Sequence, residues 1–140
     1  MLGTVTVITW ATALCAVDIR RRRLPNALTL PGAVVILAGA FVGGLGVPAL
    51  LGGLALAGLY LPVHLVDPAG LGAGDVKLAL ALGALTGAYG FPVWLVGALG
   101  APLLTAIVAA IAALRYRITL VPHGPSMCVA SLAATGLALF

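Results

Sequence analysis

The sequence predicts an all-α membrane protein: a single domain, residues 1–140, folded as a six-transmembrane-helix bundle with N- and C-termini outside. Of its 140 residues, 63% are hydrophobic and 7% are charged, whereas a soluble domain carries about 25% charged residues. The mean hydropathy is +1.25. Long uncharged runs alternate with short polar or basic turns, which is the pattern expected of consecutive membrane spans.

The first predicted span is Met1 to Val17, which has no basic residues before it and therefore does not resemble a cleaved signal peptide. Four arginines, residues 20–23, follow at once. Such a cluster after a span keeps the loop in the cytoplasm and leaves the N-terminus outside. Pro25 disfavours helix at the residue before it, so the first helix should end before Leu24.

The next two spans fill the uncharged stretch Ala27 to Val66. The turn composition of residues 43–48 divides this stretch, and each half is long enough for a span of about 20 residues. Gly39 and Gly43 form a GxxxG pair, a spacing that permits close helix contact.

The fourth to sixth helices follow a polar loop that opens at Asp67. The fourth is short, about Asp75 to Thr86, and the fifth ends before the basic turn at residues 115–117. Tyr89, Phe91 and Trp94 between them are typical of an interfacial aromatic belt. The last apolar run is Ser126 to Phe140. With six spans, all seven basic residues fall on the cytoplasmic side, as the positive-inside rule requires.

This topology brings Asp18 and Asp75 to the same membrane face. Two carboxylates held close together at low dielectric cannot both ionise cheaply, so the pair tends to share one proton. The ionised member can take a proton from water while the protonated member donates one to a carbonyl oxygen. That is the arrangement of the aspartic proteases. The sequence does not give the separation of the two carboxylates.

Asp75 belongs to a Gly72-Ala73-Gly74-Asp75 stretch. Glycines remove side-chain bulk beside the carboxylate and allow another backbone to approach. The alternative is a glycine-rich turn with Asp75 as the N-cap of the fourth helix.

Three segments resemble the signatures of the type IV prepilin peptidases, in the same order. Asp18 lies seven residues before Pro25-Asn26, as the first catalytic aspartate of that family does. Residues 72–78 resemble its GxGD signature, and residues 121–125 resemble its closing PxGP segment. The resemblance implies an intramembrane aspartyl endopeptidase with Asp18 and Asp75 as catalytic acids, supported by Gly72, Gly74, Lys77, Pro25 and Asn26.

The family resemblance also implies a substrate and a location. Members remove the short basic leader of prepilin-like proteins, including type IV pilins, tight-adherence pilins and preflagellins, at the cytoplasmic face of the inner membrane. We therefore expect a prepilin-like membrane protein and lipid as partners, no nucleic acid, no cofactor and no metal. Larger members carry a cysteine-rich N-terminal extension and also N-methylate the product. This chain resembles the short members, and we expect no N-methylation.

Other candidate residues have plainer interpretations. Lys77 could tune Asp75 or hold a substrate carboxylate, and the alternative is a lysine that sets topology or snorkels. Asp67 is expected to form a turn with Pro68. His64 and His123 are too few for a metal site without the aspartates, and each is more typical of a structural histidine. Cys15 and Cys128 lack metal or disulfide spacing and are expected to be packing residues.

Two other functions remain open on sequence grounds. Asp18 and Asp75 could relay protons in a small transporter, although we find no inverted repeat of the kind transporters often show. The chain could also be a non-enzymatic subunit of a pilus assembly machine.

The last expectation concerns mobility. Gly70, Gly72 and Gly74 restrain the loop backbone little, and the short fourth helix is rich in small residues. We therefore expect Asp18 and Asp75 to lie beyond direct hydrogen-bond reach until substrate binds. On the same reasoning, Gly74→Val should impair cleavage more than folding.

The topology can be tested by reporter fusions or cysteine accessibility. Positions 21 and 115 should face the cytoplasm because basic loops are retained there, and positions 46 and 140 should face outside. A cytoplasmic C-terminus would contradict the six-span arrangement.

Overall fold

A computed structural model describes residues 2–118 and 120–140. Within these residues the regular structure is entirely helical and comprises six helices, so the predicted all-α class and helix number are confirmed there. The helices are α1 (Leu2–Arg21), α2 (Asn26–Val42), α3 (Gly46–Val66), α4 (Ala73–Ala88), α5 (Phe91–Tyr116) and α6 (Gly124–Leu139).

Most helix boundaries follow the predicted breaks. The prediction that the fifth helix ends before residues 115–117 is wrong, because α5 continues through Arg115 to Tyr116, and the helix dipole favours a basic side chain in the last turn. The α1 helix ends before Leu24, and α2 and α3 are separated by residues 43–45 only. The α4 and α6 helices each begin two residues earlier than predicted. In α4 the Asp75 carboxylate accepts a hydrogen bond from the Gly72 N–H, which caps the first turn. In α6, Pro125 lies in the first turn, where a missing N–H costs nothing.

The fourth helix is the centre of the bundle. It packs against α2, α3, α5 and α6, and half of its residues are buried: Leu78, Ala79, Ala81, Leu82, Gly83, Ala84, Thr86 and Gly87. The α1 helix, in contrast, packs only against α2 and α6 within the described residues. The expectation that α4 can shift with little loss of packing is therefore wrong, because small side chains here bring neighbouring helices into close contact.

Glycines form the contact between α3 and α4. A Cβ on Gly83 would lie 2.5 Å from the carbonyl oxygen of Gly52, and a Cβ on Gly87 would lie 2.8 Å from the Gly52 Cα. Gly83 and Gly87 are themselves a GxxxG pair, the spacing that lets helix backbones approach. The predicted pair does not serve this purpose. A Cβ on Gly39 would meet open space, and one on Gly43 would meet only carbonyl oxygens of its own helix.

The outer surface of the bundle is apolar and part of its interior is polar. Large aliphatic side chains such as Val42, Val66 and Leu114 are more than 85% exposed. Hydroxyl side chains are buried instead: Thr29, Thr86, Ser126, Ser131 and Thr135. Water-soluble proteins rarely expose a continuous apolar surface of this extent, so the exterior suits lipid.

Two of the helices are individually long and apolar enough to cross a membrane. These are α3 and α5, while α2 and α6 are apolar but shorter. The α4 helix, at 16 residues, is about 24 Å long, less than the roughly 30 Å of a hydrocarbon core. Because the bundle covers α4 on most sides, its length is not set by the lipid alone.

The α3–α4 contact predicts that Gly83→Ala destabilises the fold. The added methyl must displace backbone of α3, and overpacking of this kind typically costs about 1–3 kcal/mol. Thermal unfolding in one detergent measures the effect. Gly58→Ala is the matched control, because its Cβ would meet nothing within 4 Å and alanine favours helix over glycine. Equal melting temperatures for the two variants would contradict the packing described here.

Candidate active site

A cavity of about 430 Å³ opens at one end of the bundle, where the α1–α2, α3–α4 and α5–α6 connections meet. All three connections contribute to its wall, so segments distant in sequence share one site. Its charged and polar lining residues are Asp18, Arg22, Arg23, Asn26, Asp75, Lys77 and His123. The structure thus places both candidate aspartates in the lining of one cavity.

Asp18 lies near the end of α1 and is only 5% exposed. Its Oδ2 accepts a hydrogen bond of 3.1 Å from the backbone N–H of Gly124, the first residue of α6. The first N–H groups of a helix lack partners within the helix, and the helix dipole favours an anion there. The first and last helices are therefore joined through this carboxylate.

The contact with Asp18 also requires that position 124 has no side chain. A Cβ at this position would lie 2.4 Å from Asp18 Oδ2, which is closer than real Cβ atoms approach an oxygen. Gly124 lies within the PxGP-like segment, residues 121–125, and no role for it was predicted. The segment itself was the only signal in the sequence that could have indicated one.

Asp75 occupies the first turn of α4, as the third residue of the helix. Its Oδ2 accepts a hydrogen bond of 3.2 Å from the Gly72 N–H. The N-cap residue of α4 is therefore Gly72 and not Asp75. Asp75 still contributes to capping, because its carboxylate accepts the N–H of the N-cap residue. Asp75 also lines the cavity that Asp18 lines.

Both carboxyl groups lie outside the uncharged runs, which end at Val17 and resume at Leu78. Burial raises the pKa of Asp18 above its ordinary value, and the Gly124 hydrogen bond opposes that rise. Burial, followed by the nearby charge of Asp18, raises the pKa of Asp75 to about 6. Because the rise at Asp75 includes a contribution from Asp18, the pair is electrostatically coupled.

Lys77 connects two of the sequence motifs. Its Nζ donates a hydrogen bond of 2.6 Å to Oδ1 of Asn26, so the lysine after the GxGD stretch is tied to the Pro25-Asn26 pair. Pro25 is the N-cap of α2, and its carbonyl oxygen accepts from the N–H groups of Leu28 and Thr29. These supporting residues thus fix the start of α2 against the start of α4.

Gly74 packs against its own chain. A Cβ there would lie 2.7 Å from the Cβ of Leu24 and 3.1 Å from its carbonyl oxygen. The space expected for a substrate backbone is occupied by the α1–α2 connection, and Gly74 is helical. The hinge explanation of Gly74→Val is therefore replaced by a steric one, in which valine separates α4 from Leu24. Gly72 shows no comparable crowding, since its Cβ would be 3.7 Å from the nearest atom.

The side chains of Asp67 and His64 both make hydrogen bonds that hold the loop before α4. Asp67 Oδ1 accepts from the Gly70 N–H at 3.0 Å, which is the turn contact expected of this residue. His64 Nδ1 lies 2.6 Å from the carbonyl oxygen of Leu71, so this nitrogen must carry the proton and donate. Asp67 does not line the cavity, which separates it from the other two aspartates.

The two cysteines also meet between α1 and α6. The thiols of Cys15 and Cys128 lie in hydrogen-bond contact and are free cysteines, close to the apolar core of the bundle. The described residues contain no group of three or more His, Cys, Asp or Glu side chains that could hold a metal ion.

The sequence was also compared with known proteins. A sequence model of the Type IV leader peptidase family matches residues 5–118. The chain belongs to this family. The family resemblance inferred from the motifs is confirmed, and membership supports a membrane-associated, leader peptidase-like protease. The match ends before residues 121–125, so their resemblance to the PxGP segment rests on those residues alone.

The other two comparisons give no match. No curated protein and no solved structure matches this chain with significant similarity. No comparison supports the transporter alternative for this leader peptidase family member.

The coupling of the aspartates predicts the titration of Asp75. The chain has only three acidic side chains, so infrared bands of 4-¹³C-labelled aspartate can be assigned with single Asp→Asn variants. Asp75 should titrate near pH 6, and in Asp18→Asn its pKa should be lower because a neighbouring negative charge is removed. An unchanged or raised midpoint in Asp18→Asn would show that the two groups do not interact.

Proposed function

We propose that this leader peptidase family member is an aspartyl endopeptidase in which Asp18 and Asp75 activate water against a peptide bond. The observation that carries the proposal is that two carboxylates, from the end of α1 and the start of α4, line one cavity. One of them is buried, and the pKa of the other is raised partly by its neighbour. Paired acids with this property are the requirement of aspartic catalysis.

The reaction needs one proton on the pair. The ionised carboxylate takes a proton from water as the water oxygen bonds to the peptide carbonyl carbon, and the protonated carboxyl gives its proton to the carbonyl oxygen. The proton taken from water then passes to the amide nitrogen as the C–N bond breaks, and a hydroxyl proton of the tetrahedral intermediate returns to the other carboxylate, which restores one proton on the pair. No covalent bond to the protein forms. We assign Asp18 as the base, because its carboxylate accepts the N–H at the start of α6 and such a hydrogen bond favours the ionised form, and Asp75 as the donor in the first step.

We further propose that the uncharged parts of all six helices cross the inner membrane, with the cavity at the cytoplasmic face. The polar connections that line the cavity include Arg22, Arg23 and Lys77, and the positive-inside rule puts such residues in the cytoplasm. The apolar exterior supports immersion in lipid. The substrate would then be a prepilin-like membrane protein whose short basic leader is cut where it emerges from the bilayer on this side.

The proposal predicts that Asp18→Asn and Asp75→Asn each abolish cleavage of a prepilin-like substrate by purified protein. Asparagine keeps the size of the side chain but cannot exchange the proton, and loss of an acid–base residue typically reduces the rate by 10² to 10⁴-fold. The fraction of leader removed, measured by mass spectrometry, is the readout.

Asp67→Asn is the matched control, since Asp67 lies in the same connection as the cavity wall but caps its own turn. It should keep most of the activity and a similar melting temperature. Near-normal cleavage by either of the first two variants would contradict the aspartyl mechanism, and failure of the unaltered protein to cleave any prepilin-like substrate would contradict the function.

A further inference from the structure

His123, the residue before Gly124, makes a hydrogen bond through each of its two ring nitrogens. His123 Nε2 lies 2.9 Å from the hydroxyl oxygen of Tyr60 on α3, and Nδ1 lies 2.5 Å from Oγ1 of Thr105 on α5. The rings of His123 and Tyr60 also pack together, with centroids 5.5 Å apart. Three elements are therefore joined at one imidazole, beside the cavity that holds both aspartates.

The direction of each hydrogen bond in this network can be deduced. Thr105 Oγ1 also lies 3.1 Å from the carbonyl oxygen of Ala101, to which only its hydroxyl proton can be donated. Toward His123 it must therefore accept, so Nδ1 carries the proton. A neutral imidazole then offers Nε2 as an acceptor, and the Tyr60 hydroxyl donates to it. Burial lowers the pKa of His123, which favours this neutral form.

His123 is in turn the residue from which α6 starts. Its carbonyl oxygen accepts the first helical hydrogen bond, from the Met127 N–H at 3.1 Å. The next residue, Gly124, donates its N–H to Asp18 Oδ2. The start of α6 is thus held from one side by α3 and α5, through the imidazole, and from the other side by α1, through the carboxylate.

We propose that His123 is a positioning residue for Asp18: its hydrogen bonds to Tyr60 and Thr105 hold the first turn of α6 so that the Gly124 N–H meets the carboxylate. This inference rests on the proposed function for its effect on catalysis, but its geometry is independent of it. His123 acts through Gly124 and does not itself exchange a proton with substrate.

The inference predicts a change in pH dependence because the Gly124 hydrogen bond favours the ionised carboxylate. If the N–H is misplaced, the pKa of Asp18 rises and a higher pH is needed to ionise it. The other titratable or charged groups near Asp18 or Asp75 are Cys15 on α1, Arg22 and Arg23 after it, Tyr60 and His64 on α3, Lys77 on α4, His123 before α6 and Cys128 on it. Of these side chains, the test below replaces only Tyr60, and that substitution removes a neutral hydroxyl. Because His123 is neutral, weakening its hydrogen bonds removes no charge from this set.

The test uses Tyr60→Phe and Thr105→Val, each of which removes one hydrogen bond and leaves the imidazole in place. Two matched controls are Tyr89→Phe and Thr135→Val. Tyr89 lies at the C-terminal end of α4, away from the cavity lining. Thr135 makes the same kind of bond within its own helix without contacting His123. Cleavage of a prepilin-like substrate is measured against pH, with kcat and KM determined separately.

In both variants we expect kcat to fall with KM little changed, and the acidic limb of the kcat profile to move upward by about one pH unit, the size typical of one hydrogen bond to a charged group. The controls should show neither change. An acidic limb that stays in place in both variants would overturn the inference, whether or not kcat falls, because a merely structural role would lower the rate at every pH.

A second measurement does not depend on activity. Infrared titration of labelled Asp18, assigned with Asp18→Asn, should give a higher pKa in Tyr60→Phe and Thr105→Val than in the unaltered protein and in the controls. If the chain fails to cleave any leader but this shift is found, the proposed function fails and the positioning role stands. Equal Asp18 titrations in all five proteins would overturn the positioning role even for an active peptidase.

Discussion

The hydrogen bond from the Gly124 N–H to the Asp18 carboxylate is the contact on which the arrangement of this bundle depends. A buried carboxylate is costly unless hydrogen bonds satisfy it, and this chain offers few polar groups to do so. The start of α6 supplies an unpaired N–H at the required place, and the absence of a side chain at Gly124 lets the carboxylate reach it. The first and last helices are thereby fixed together beside the cavity.

Two other charged side chains near the cavity, Lys77 and Asp75, also have hydrogen-bond partners at the start of a helix. Lys77 donates to Asn26, which ties α4 to α2, while Asp75 accepts from the backbone of Gly72 at the start of its own helix. The helical segments beyond these positions are held by packing of small residues, chiefly the glycines of α3 and α4. The bundle therefore has a polar end that carries the site and an apolar body that suits lipid.

This division also indicates where movement costs least. The α4 helix is buried among four neighbours, whereas α1 packs only against α2 and α6 in the described part of the chain. Bringing the two carboxyl groups closer by moving α4 would disrupt most of the core. Movement of α1 or of the connection that begins at Asp67 would break fewer contacts, which argues against the mobile fourth helix that its small residues suggest.

Much of the fold could be predicted from the sequence, because the signals are local. Uncharged runs, prolines and arginine clusters predicted six helices and their approximate ends. That topology predicted a shared membrane face for Asp18 and Asp75, and the motifs indicated the family. The starts of α4 and α6 were predicted two residues late, because a capping carboxylate and a first-turn proline extend each helix into a segment with turn composition.

Contacts between distant residues could not be predicted. Gly74 packs on Leu24, Gly83 and Gly87 pack on α3, and His123 joins Tyr60 to Thr105, and in each case the partner is on another helix. Hydrophobic periodicity gives the type and length of a helix but does not give its neighbours. The same limit applies to the GxxxG pair at Gly39 and Gly43, whose spacing permits a close helix contact without specifying a partner, and within the described residues the structure shows no neighbouring helix at either glycine.

The most direct test of the account is the distance between the carboxyl carbons of Asp18 and Asp75. Because the chain has three aspartates, 4-¹³C-aspartate gives few enough signals for solid-state NMR recoupling in lipid, with and without a non-cleavable prepilin-like peptide. We predict that bound peptide brings Asp18 and Asp75 within roughly 6 Å, the range in which carboxylates share a proton, with a weaker coupling in its absence. A peptide-bound protein in which Asp18 and Asp75 show no mutual coupling would contradict the paired-aspartate mechanism.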